Sequence, residues 1–249
     1  MSGHSKWATI KHKKGAADKA RGKLWAKLIR QVEVAARGGG GDLDANPSLR
    51  TMVDKAKGAS VPNDTIERAI KRATGDLEGV NYESATYEGY AAEGVAVFVE
   101  ALTDNRNRTS ADVRHLFSKN GGSIAEPGAV AWQFERRGII AVDRAVSEDD
   151  VMLTALDAGA EDIVDEGDSW RVTCQPTDLG ALRAALEAAR IAYSSADVTW
   201  LPKATVALNT VAAAQRVLRL IDALDDHDDI QDVYANFDIP DEILQAVDA

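Results

Sequence analysis

Apolar residues recur every three or four positions through the first third of the chain, a spacing that predicts amphipathic helices. A first helix is predicted over residues 16–37. Its apolar side comprises Leu24, Leu28, Val32 and Ala35, flanked by Trp25 and Ile29. The glycines at 38–41 end this helix.

Two shorter helices are predicted next. Asn46 before Pro47 indicates a capped helix start, and this second helix is expected to reach residue 57. Val61-Pro62 breaks it, and a third helix is expected to end near residue 73. Three amphipathic helices with short connections predict an N-terminal three-helix bundle.

Beyond residue 80 the pattern changes to alternating strands and helices. Strands are predicted at 95–102, 130–134, 138–143, 161–165, 170–175, 196–201 and 230–235, and helices at 109–119, 148–158, 179–190 and 210–224. The order strand-helix-strand-strand-helix-strand is complete within residues 137–203, and it is the order of a ferredoxin-like unit.

The segments on either side of that unit are each incomplete, so we predict that together they form one discontinuous domain. The expected division is a basic helical domain at 1–78, a discontinuous α+β domain at 79–136 and 204–249, and an inserted βαββαβ domain at 137–203. The predicted fold class is therefore α+β and multidomain: an N-terminal three-helix bundle followed by two ferredoxin-like domains, one inserted in the other.

Charge is distributed very unevenly between the two parts of the chain. The whole chain has a formal net charge of −11. Residues 1–75 hold 16 Lys and Arg against 7 Asp and Glu, whereas residues 76–249 hold 13 against 33. The first thirty residues alone contain nine basic residues and one acid, Asp18. A basic end on an acidic protein predicts a polyanionic partner at that end.

The basic residues form an arm at 1–14 and a stripe on the first helix, where Lys19, Lys23, Lys27, Arg30 and Arg37 share one side. Lys and Arg neutralise phosphates without reading sequence, and an exposed indole can stack on an unpaired base. The predicted nucleic-acid-binding residues are Lys6, Trp7, Lys11, His12, Lys13, Lys14, Lys19, Arg21, Lys23, Lys27 and Arg30. The alternative is that Trp7 and Ile10 pack on the bundle while the lysines only solubilise it.

A second phosphate site is predicted where a strand meets a helix, at Asn105, Arg106 and Arg108. The alternative for this segment is a capped turn with no ligand, closed by Thr109 or a neighbour. The acidic run at 225–229 lacks calcium-loop spacing, and we interpret it as a solvated turn.

Other classes of function find no support. The single cysteine, Cys174, excludes a disulfide framework and fits a reducing, cytoplasmic setting. No apolar run is long enough to span a membrane. Four scattered histidines give no metal site, and no catalytic motif or cofactor fingerprint is present, so we expect neither a cofactor nor an enzyme.

Specific motifs along the whole chain resemble the YebC/PmpR family. They are GHSKWATIKHKK at 3–14, RGKLWAKLIR at 21–30, VAARGGGGD at 34–42, NPSLR at 46–50, DKAK at 54–57, VPNDTIERAIKR at 61–72, EALTDNRNRT at 100–109, VRHLFSKNGG at 113–122, VAWQFERRG at 130–138 and YANFDIP at 234–240. The resemblance implies three domains, a cytoplasmic setting and no catalytic activity. Members are described as DNA-binding transcriptional regulators, and the broader family is also associated with the ribosome and with relief of stalling on proline-rich stretches.

This sequence departs from the family pattern at three places. Trp25 replaces the usual phenylalanine, an aromatic exchange that supports a core position for this residue. Lys19 stands one position from the usual lysine, about 100° round the helix. Ala91, Ala92 and Glu93 replace the glycine- and proline-rich part of a turn, which adds a charge and puts any role of that turn in doubt.

Three functions therefore remain open. The first is duplex DNA binding at promoters, and the second is a translation factor that binds ribosomal RNA. The third is a protein-interaction scaffold with an incidental basic arm. The sequence slightly favours RNA, because no helix-turn-helix recognition helix and no sign of a palindrome-reading dimer is present, and a monomer is expected.

Overall fold

The computed structural model describes residues 17–75 and 80–248, with side chains described within 21–75 and 80–247. The predicted arm at 1–14 lies outside these ranges. Within them the chain is a mixed α+β protein with two four-stranded antiparallel sheets and one two-stranded parallel sheet.

The helices are α1 (Ala17–Gly39), α2 (Pro47–Gly58), α3 (Asn63–Ala73), α4 (Arg106–Lys119), α5 (Glu148–Leu156), α6 (Leu179–Ala188), α7 (Val211–Asp225) and α8 (Asp241–Asp248). The strands are β1 (Glu83–Tyr90), β2 (Ala96–Thr103), β3 (Ser123–Ala125), β4 (Phe134–Asp143), β5 (Ala160–Asp165), β6 (Ser169–Cys174), β7 (Tyr193–Pro202), β8 (Val206–Ala207), β9 (Ile230–Ala235) and β10 (Phe237–Asp238). Short 3₁₀ turns lie at Ala92–Gly94 and Ala131–Gln133.

Helices α1, α2 and α3 pack around one apolar core. Its buried members are Leu28, Val32, Ala36, Leu49, Val53, Ala56, Val61, Ile66, Ala69 and Ala73. Asn46 joins two of the helices: its side-chain oxygen accepts from Leu49 N at 3.0 Å, and its Nδ2 donates to the carbonyl of Ala35 at 2.9 Å. The predicted N-cap is therefore confirmed, and the same side chain also satisfies a carbonyl near the end of α1.

Leu24 was expected on the apolar face of α1, but it is 45% exposed. Helix α1 has 23 residues and so is about 35 Å long, whereas α2 and α3 reach about 18 Å. The partly buried contacts of α1 with this core begin at Trp25. The amino-terminal part of α1 therefore extends past its two partner helices, where an apolar residue has nothing to cover it.

Sheet A has the strand order β3-β1-β2-β9, with antiparallel neighbours throughout. Helices α4 and α7 cover one face, where Val97, Phe117 and Val217 are completely buried. The other face of β2 is covered too, since Phe98 packs against Phe134 and lies 5.2 Å from the ring of Trp200. Burial on both faces explains why β2 is apolar at every position except Glu100 and Thr103.

Strand β1 was not predicted, because most of its residues are polar and only part of the strand is buried. The strand expected at 130–134 is also wrong. Residues 131–133 form a 3₁₀ turn, and β4 then runs without a break from Phe134 to Asp143. The turn is fixed by Glu88 on β1, whose carboxylate accepts from the N–H groups of Gly128, Val130 and Ala131 at 2.6 to 2.9 Å.

Sheet B has the strand order β5-β6-β4-β7, again antiparallel throughout. Its elements follow one another as strand, helix, strand, strand, helix and strand. Helices α5 and α6 enclose a core against one face, with Ile140, Val172, Leu182 and Leu186 completely buried. Strand β7 then contacts sheet A, where Trp200 Nε1 donates to Glu100 at 3.1 Å.

Candidate nucleic-acid interface

The predicted interface is only partly visible. Lys6, Trp7, Lys11, His12, Lys13 and Lys14 lie outside the described residues, and so does the side chain of Lys19, although residue 19 belongs to α1. Arg21, Lys23, Lys27 and Arg30 are described. Of these, Lys23, Lys27 and Arg30 point from one side of α1 towards a single segment elsewhere in the chain.

That segment comprises residues 225–229, which join the end of α7 to the start of β9 and which we call the acidic turn. Lys23 forms an ion pair with Asp226, and Lys27 Nζ lies 3.3 Å from Asp225 Oδ1. The two lysines are four residues apart, so they project from one face of α1 onto consecutive residues of the turn.

Both lysines also bind backbone oxygens at the carboxyl end of α7. Lys27 Nζ donates to the carbonyl of Asp225 at 2.9 Å, and Lys23 Nζ donates to the carbonyl of Asp226 at 3.0 Å. The last carbonyls of a helix have no partner inside it and carry the negative end of the helix dipole. Two ammonium groups from another helix satisfy those carbonyls and meet a favourable potential there.

Of the three cationic side chains, Arg30 makes the innermost contact with the acidic turn. Its Nη1 donates to the carbonyl of Asp228 and lies 3.2 Å from Asp229 Oδ1. The guanidinium also stands 5.4 Å from the ring centre of Tyr82, a cation–π geometry. The side chain of Arg30 is 19% exposed and that of Asp229 only 6%, so this pair is the most enclosed of the three.

Asp229 is also held from the other side by two residues of α4. Its Oδ2 accepts from Arg108 Nη2 and from Thr109 Oγ1, each at 2.8 Å. Burial alone raises the pKa of Asp229, but the bonds from Arg108 and Thr109 and the charges of Arg108 and Arg30 outweigh it, so the pKa lies below its ordinary value. The carboxylate is therefore ionised and satisfied at neutral pH.

The predicted second phosphate site is a capped helix start that also contains an ion-pair network. Asn105 is the N-cap of α4 and accepts from Arg108 N at 3.0 Å. The Arg108 guanidinium binds Asp229 and also Asp104, at 2.7 Å, and both carboxylates hold its pKa above the ordinary value. Arg106 is exposed. The structure thus brings Arg108 to the same acidic turn that binds Arg30.

Together these groups line an open cleft of about 630 Å³. Its lining residues are Lys23, Arg30, Tyr82, Asp104, Arg108, Asp226, His227, Asp228 and Asp229. His227 closes one side, with Nε2 3.3 Å from Asp112 Oδ2. Cations and carboxylates alternate in the cleft, so its cationic groups face the protein's own anions.

The expectation that residues 225–229 form only a solvated turn is therefore wrong. Asp225, Asp226 and Asp229 all contact cations of α1, and Asp229 is buried. The available signal was the match between four carboxylates in five residues and a helical stripe of three cations. Sequence spacing placed Lys23, Lys27 and Arg30 on one side correctly, but it gives no distance between segments 200 residues apart.

Trp25 and Cys174 both lie in apolar surroundings. Trp25 packs against the helical core, and its Nε1 donates to the carbonyl of Ala59 at 2.9 Å. Cys174 is buried, and burial followed by the nearby charges of Asp178 and Glu161 raises the pKa of its thiol. Within the described ranges no group of three or more His, Cys, Asp or Glu side chains is placed to hold a metal ion.

None of the helices in the described part of the chain is sufficiently long and apolar to cross a membrane.

Comparison with known proteins gives a consistent match along the chain. Residues 5–76 match the family model described as the TACO1/YebC protein N-terminal domain, and residues 82–237 match the TACO1/YebC second and third domain. A protein of Syntrophobacter fumaroxidans is 54% identical over 248 residues, covering 99% of this chain and 100% of that one. A protein of Halothermothrix orenii is 53% identical over 250 residues, covering 99% of each chain. Both are named probable transcriptional regulatory proteins.

A solved structure is also similar. The crystal structure of a conserved hypothetical protein from Aquifex aeolicus superposes with a TM-score of 0.82 at 46% sequence identity. The match covers 92% of this chain and 94% of that one.

Proposed function

The chain belongs to the TACO1/YebC family, and from that premise we propose that it is a non-enzymatic, nucleic-acid-binding regulator of gene expression. The proposed interface is the amino-terminal basic segment, from the arm at 1–14 to the cationic face of α1. Its members are the residues named above from Lys6 to Arg30, with Arg106 and Arg108 as a lesser contact.

The observation that carries the proposal is the separation of charge. Nine basic residues and one acid occupy the first thirty positions of a chain whose net charge is −11. Such a segment attracts a polyanion, and phosphate contacts by Lys and Arg release counterions and give strongly salt-dependent affinity. The relatives' names, probable transcriptional regulatory protein, agree with a regulatory role.

Structured RNA, including ribosomal RNA, fits the interface better than a specific duplex site. Lys23, Lys27 and Arg30 are long cationic side chains at helical spacing, and this spacing suits contacts along a phosphate backbone. A shape-directed contact of this kind is typical of RNA recognition. We propose a ribosome-associated translation factor in the cytoplasm that relieves stalling on proline-rich stretches, with promoter DNA binding as the competing form of the same function.

A protein-interaction scaffold is the second candidate, and one observation favours it. The described cations Lys23, Lys27 and Arg30 are engaged by carboxylates of the same chain. If the arm were equally engaged, the chain would present an acidic surface to a protein partner. The two functions differ in one property, since a scaffold has no salt-dependent affinity for nucleic acid.

The proposal includes a domain division. The core of α1–α3, the core of sheet A with α4 and α7, and the core of sheet B with α5 and α6 are separate clusters. This supports a helical domain at 1–78, an inserted ferredoxin-like domain at 137–203 and a discontinuous domain at 79–136 and 204–249. The strand order β5-β6-β4-β7 and the element order support the ferredoxin-like assignment of the inserted part.

The deciding experiment is gradient sedimentation of a cell lysate at low salt, followed by detection of this protein. We expect it to migrate with ribosomal subunits and to leave them when the ionic strength is raised. A protein found only at the top of the gradient, which nevertheless shifts promoter DNA over competitor DNA, supports the transcriptional form. Migration at the top with no affinity for RNA or DNA favours the scaffold.

A further inference from the structure

We propose that the acidic turn is an internal competitor for nucleic acid, holding Lys23 and Lys27 of α1 until a polyanion displaces it. This inference rests on the proposed function and adds its regulation. The turn provides carboxylate and carbonyl oxygens to both lysines. Phosphate oxygens offer the two lysines the same type of charge-assisted hydrogen bond, so the two kinds of acceptor exclude each other.

The three contacts differ in how easily water reaches them. The Lys23–Asp226 pair is the outermost, with side-chain exposures of 28% and 72%. The Lys27–Asp225 pair is intermediate, at 13% and 26%. Exposed ion pairs are worth little because water competes for both charges, so an external phosphate displaces Asp226 first and Asp225 next.

The innermost contact is the anchor. Asp229 binds Arg30, Arg108 and Thr109 together and is 4% exposed, so an incoming phosphate cannot replace it without leaving those groups unpaired. Arg30 therefore stays in place and fixes the orientation of α1, while Lys23 and Lys27 exchange partners. Displacement by phosphate thus changes the ion-pair partners of two lysines and leaves the fold unchanged.

The consequence is a threshold for binding. A ligand with one or two charges gains little by breaking the internal pairs, whereas a polyanion bound along the arm presents further phosphates to Lys23 and Lys27. The acidic turn thus weakens the binding of small anions and favours ligands with closely spaced phosphates. Competition within the protein therefore provides specificity.

The test uses the full-length chain and two equal changes of charge. In the turn variant, Asp225→Asn is combined with Asp226→Asn. In the control variant, Asp149→Asn is combined with Asp157→Asn, which removes one exposed carboxylate from the first turn of α5 and one from the residue that follows the helix. Fluorescence anisotropy measures binding of a labelled RNA hairpin and of a labelled DNA duplex of matched length at several salt concentrations.

We expect the turn variant to bind the RNA hairpin about threefold to tenfold more tightly than the control variant, since two internal ion pairs no longer compete. Its affinity should also fall more steeply with salt, by about one to two further counterions, because two more lysines reach phosphates. Equal affinities and equal slopes for the two variants overturn the competition.

A second pair of changes separates competition from a general effect of charge. Lys23→Gln with Lys27→Gln is introduced into the wild type and into the turn variant. Competition predicts a small loss of affinity in the wild type, where the lysines are engaged, and a loss several times larger in the turn variant. Equal losses in both backgrounds contradict it.

The pattern of results also distinguishes this inference from the proposed function. If the wild type binds nucleic acid in a salt-dependent way and the turn variant binds no more tightly, the competition is wrong and the proposed function is retained. Binding by the turn variant alone supports both. Absence of binding in every variant removes the function, and the competition with it.

Discussion

The guanidinium of Arg30 and the carboxylate of Asp229 lie 3.2 Å apart, although 199 positions separate them in the sequence. The first residue belongs to α1 and the second immediately precedes β9. Asp229 also accepts hydrogen bonds from Arg108 and Thr109 of α4, the helix that covers sheet A. One buried carboxylate therefore joins the helical region to sheet A. The basic face of α1 is thereby positioned by the acidic part of the chain.

Replacing Asp229 should destabilise the protein. Asp229→Asn removes the charge that Arg30 and Arg108 share, and we expect the free energy of unfolding to fall by about 2 kcal/mol. Asp228→Asn is the matched control, because Asp228 is exposed and contributes its carbonyl to Arg30. The control should change stability by less than about 0.5 kcal/mol. Equal effects in denaturant titrations would show that Asp229 is not the anchor.

The contribution of Asp229 should disappear in acid. The pKa of Asp229 is lower in the folded protein than in the unfolded chain. Its stabilising effect is therefore complete above the ordinary aspartate pKa of about 3.9, and it is lost as the pH falls through the lower pKa of the folded protein. The difference in unfolding free energy between wild type and Asp229→Asn should therefore be full near pH 7 and shrink below about pH 4. A difference that grows on acidification contradicts the assignment.

Glu88 should hold the loop that precedes β4. Burial opposes its ionised form, but three backbone N–H groups outweigh this effect and lower its pKa. Glu88→Gln removes the charge and one acceptor site, so we expect a loss of about 1–3 kcal/mol. We also expect faster amide hydrogen exchange at Gly128, Val130 and Ala131. Glu126→Gln, at an exposed position of the same loop, is the control and should leave that exchange unchanged.

Trp25 should contribute to stability and leave nucleic-acid affinity unchanged. Trp25→Phe keeps an aromatic ring in the helical core but removes the donor to Ala59, a loss of about 1 kcal/mol. Trp132 is 67% exposed, so Trp132→Phe is the control and should be nearly neutral in thermal unfolding. A drop in RNA affinity of tenfold or more in folded Trp25→Phe would instead make the indole a ligand.

Local sequence patterns predicted every described helix except α8, because apolar spacing and caps are properties of adjacent residues. Asn46 and its proline mark the start of α2, and the apolar run at 95–102 becomes β2. Strand β1 escaped notice because its burial comes from neighbours distant in sequence, including the ring of Phe117 that lies against Gly89. Likewise, nothing near residue 130 reveals that Glu88 will bind the backbone there.

The candidate interface also depends on contacts between distant segments, which local sequence patterns do not reveal. Helical spacing was sufficient to place Lys23, Lys27 and Arg30 on one side of α1, and composition was sufficient to mark 225–229 as unusually acidic. Their contact depends on how α1–α3 dock against sheet A, which involves residues such as Tyr82 and Asp229 that carry no motif of their own. Pairing of two oppositely charged segments is a tertiary property, and local sequence patterns do not reveal the distance between them.

The most direct test of nucleic-acid binding by the amino-terminal segment is the salt dependence of its affinity for a structured RNA hairpin. The wild type is compared with a variant in which Lys11, Lys13 and Lys14 are each changed to alanine. We expect the logarithm of the wild-type association constant to fall linearly with the logarithm of salt concentration, and the slope of the variant to be shallower by about two to three. A variant whose slope and affinity equal those of the wild type would contradict the account.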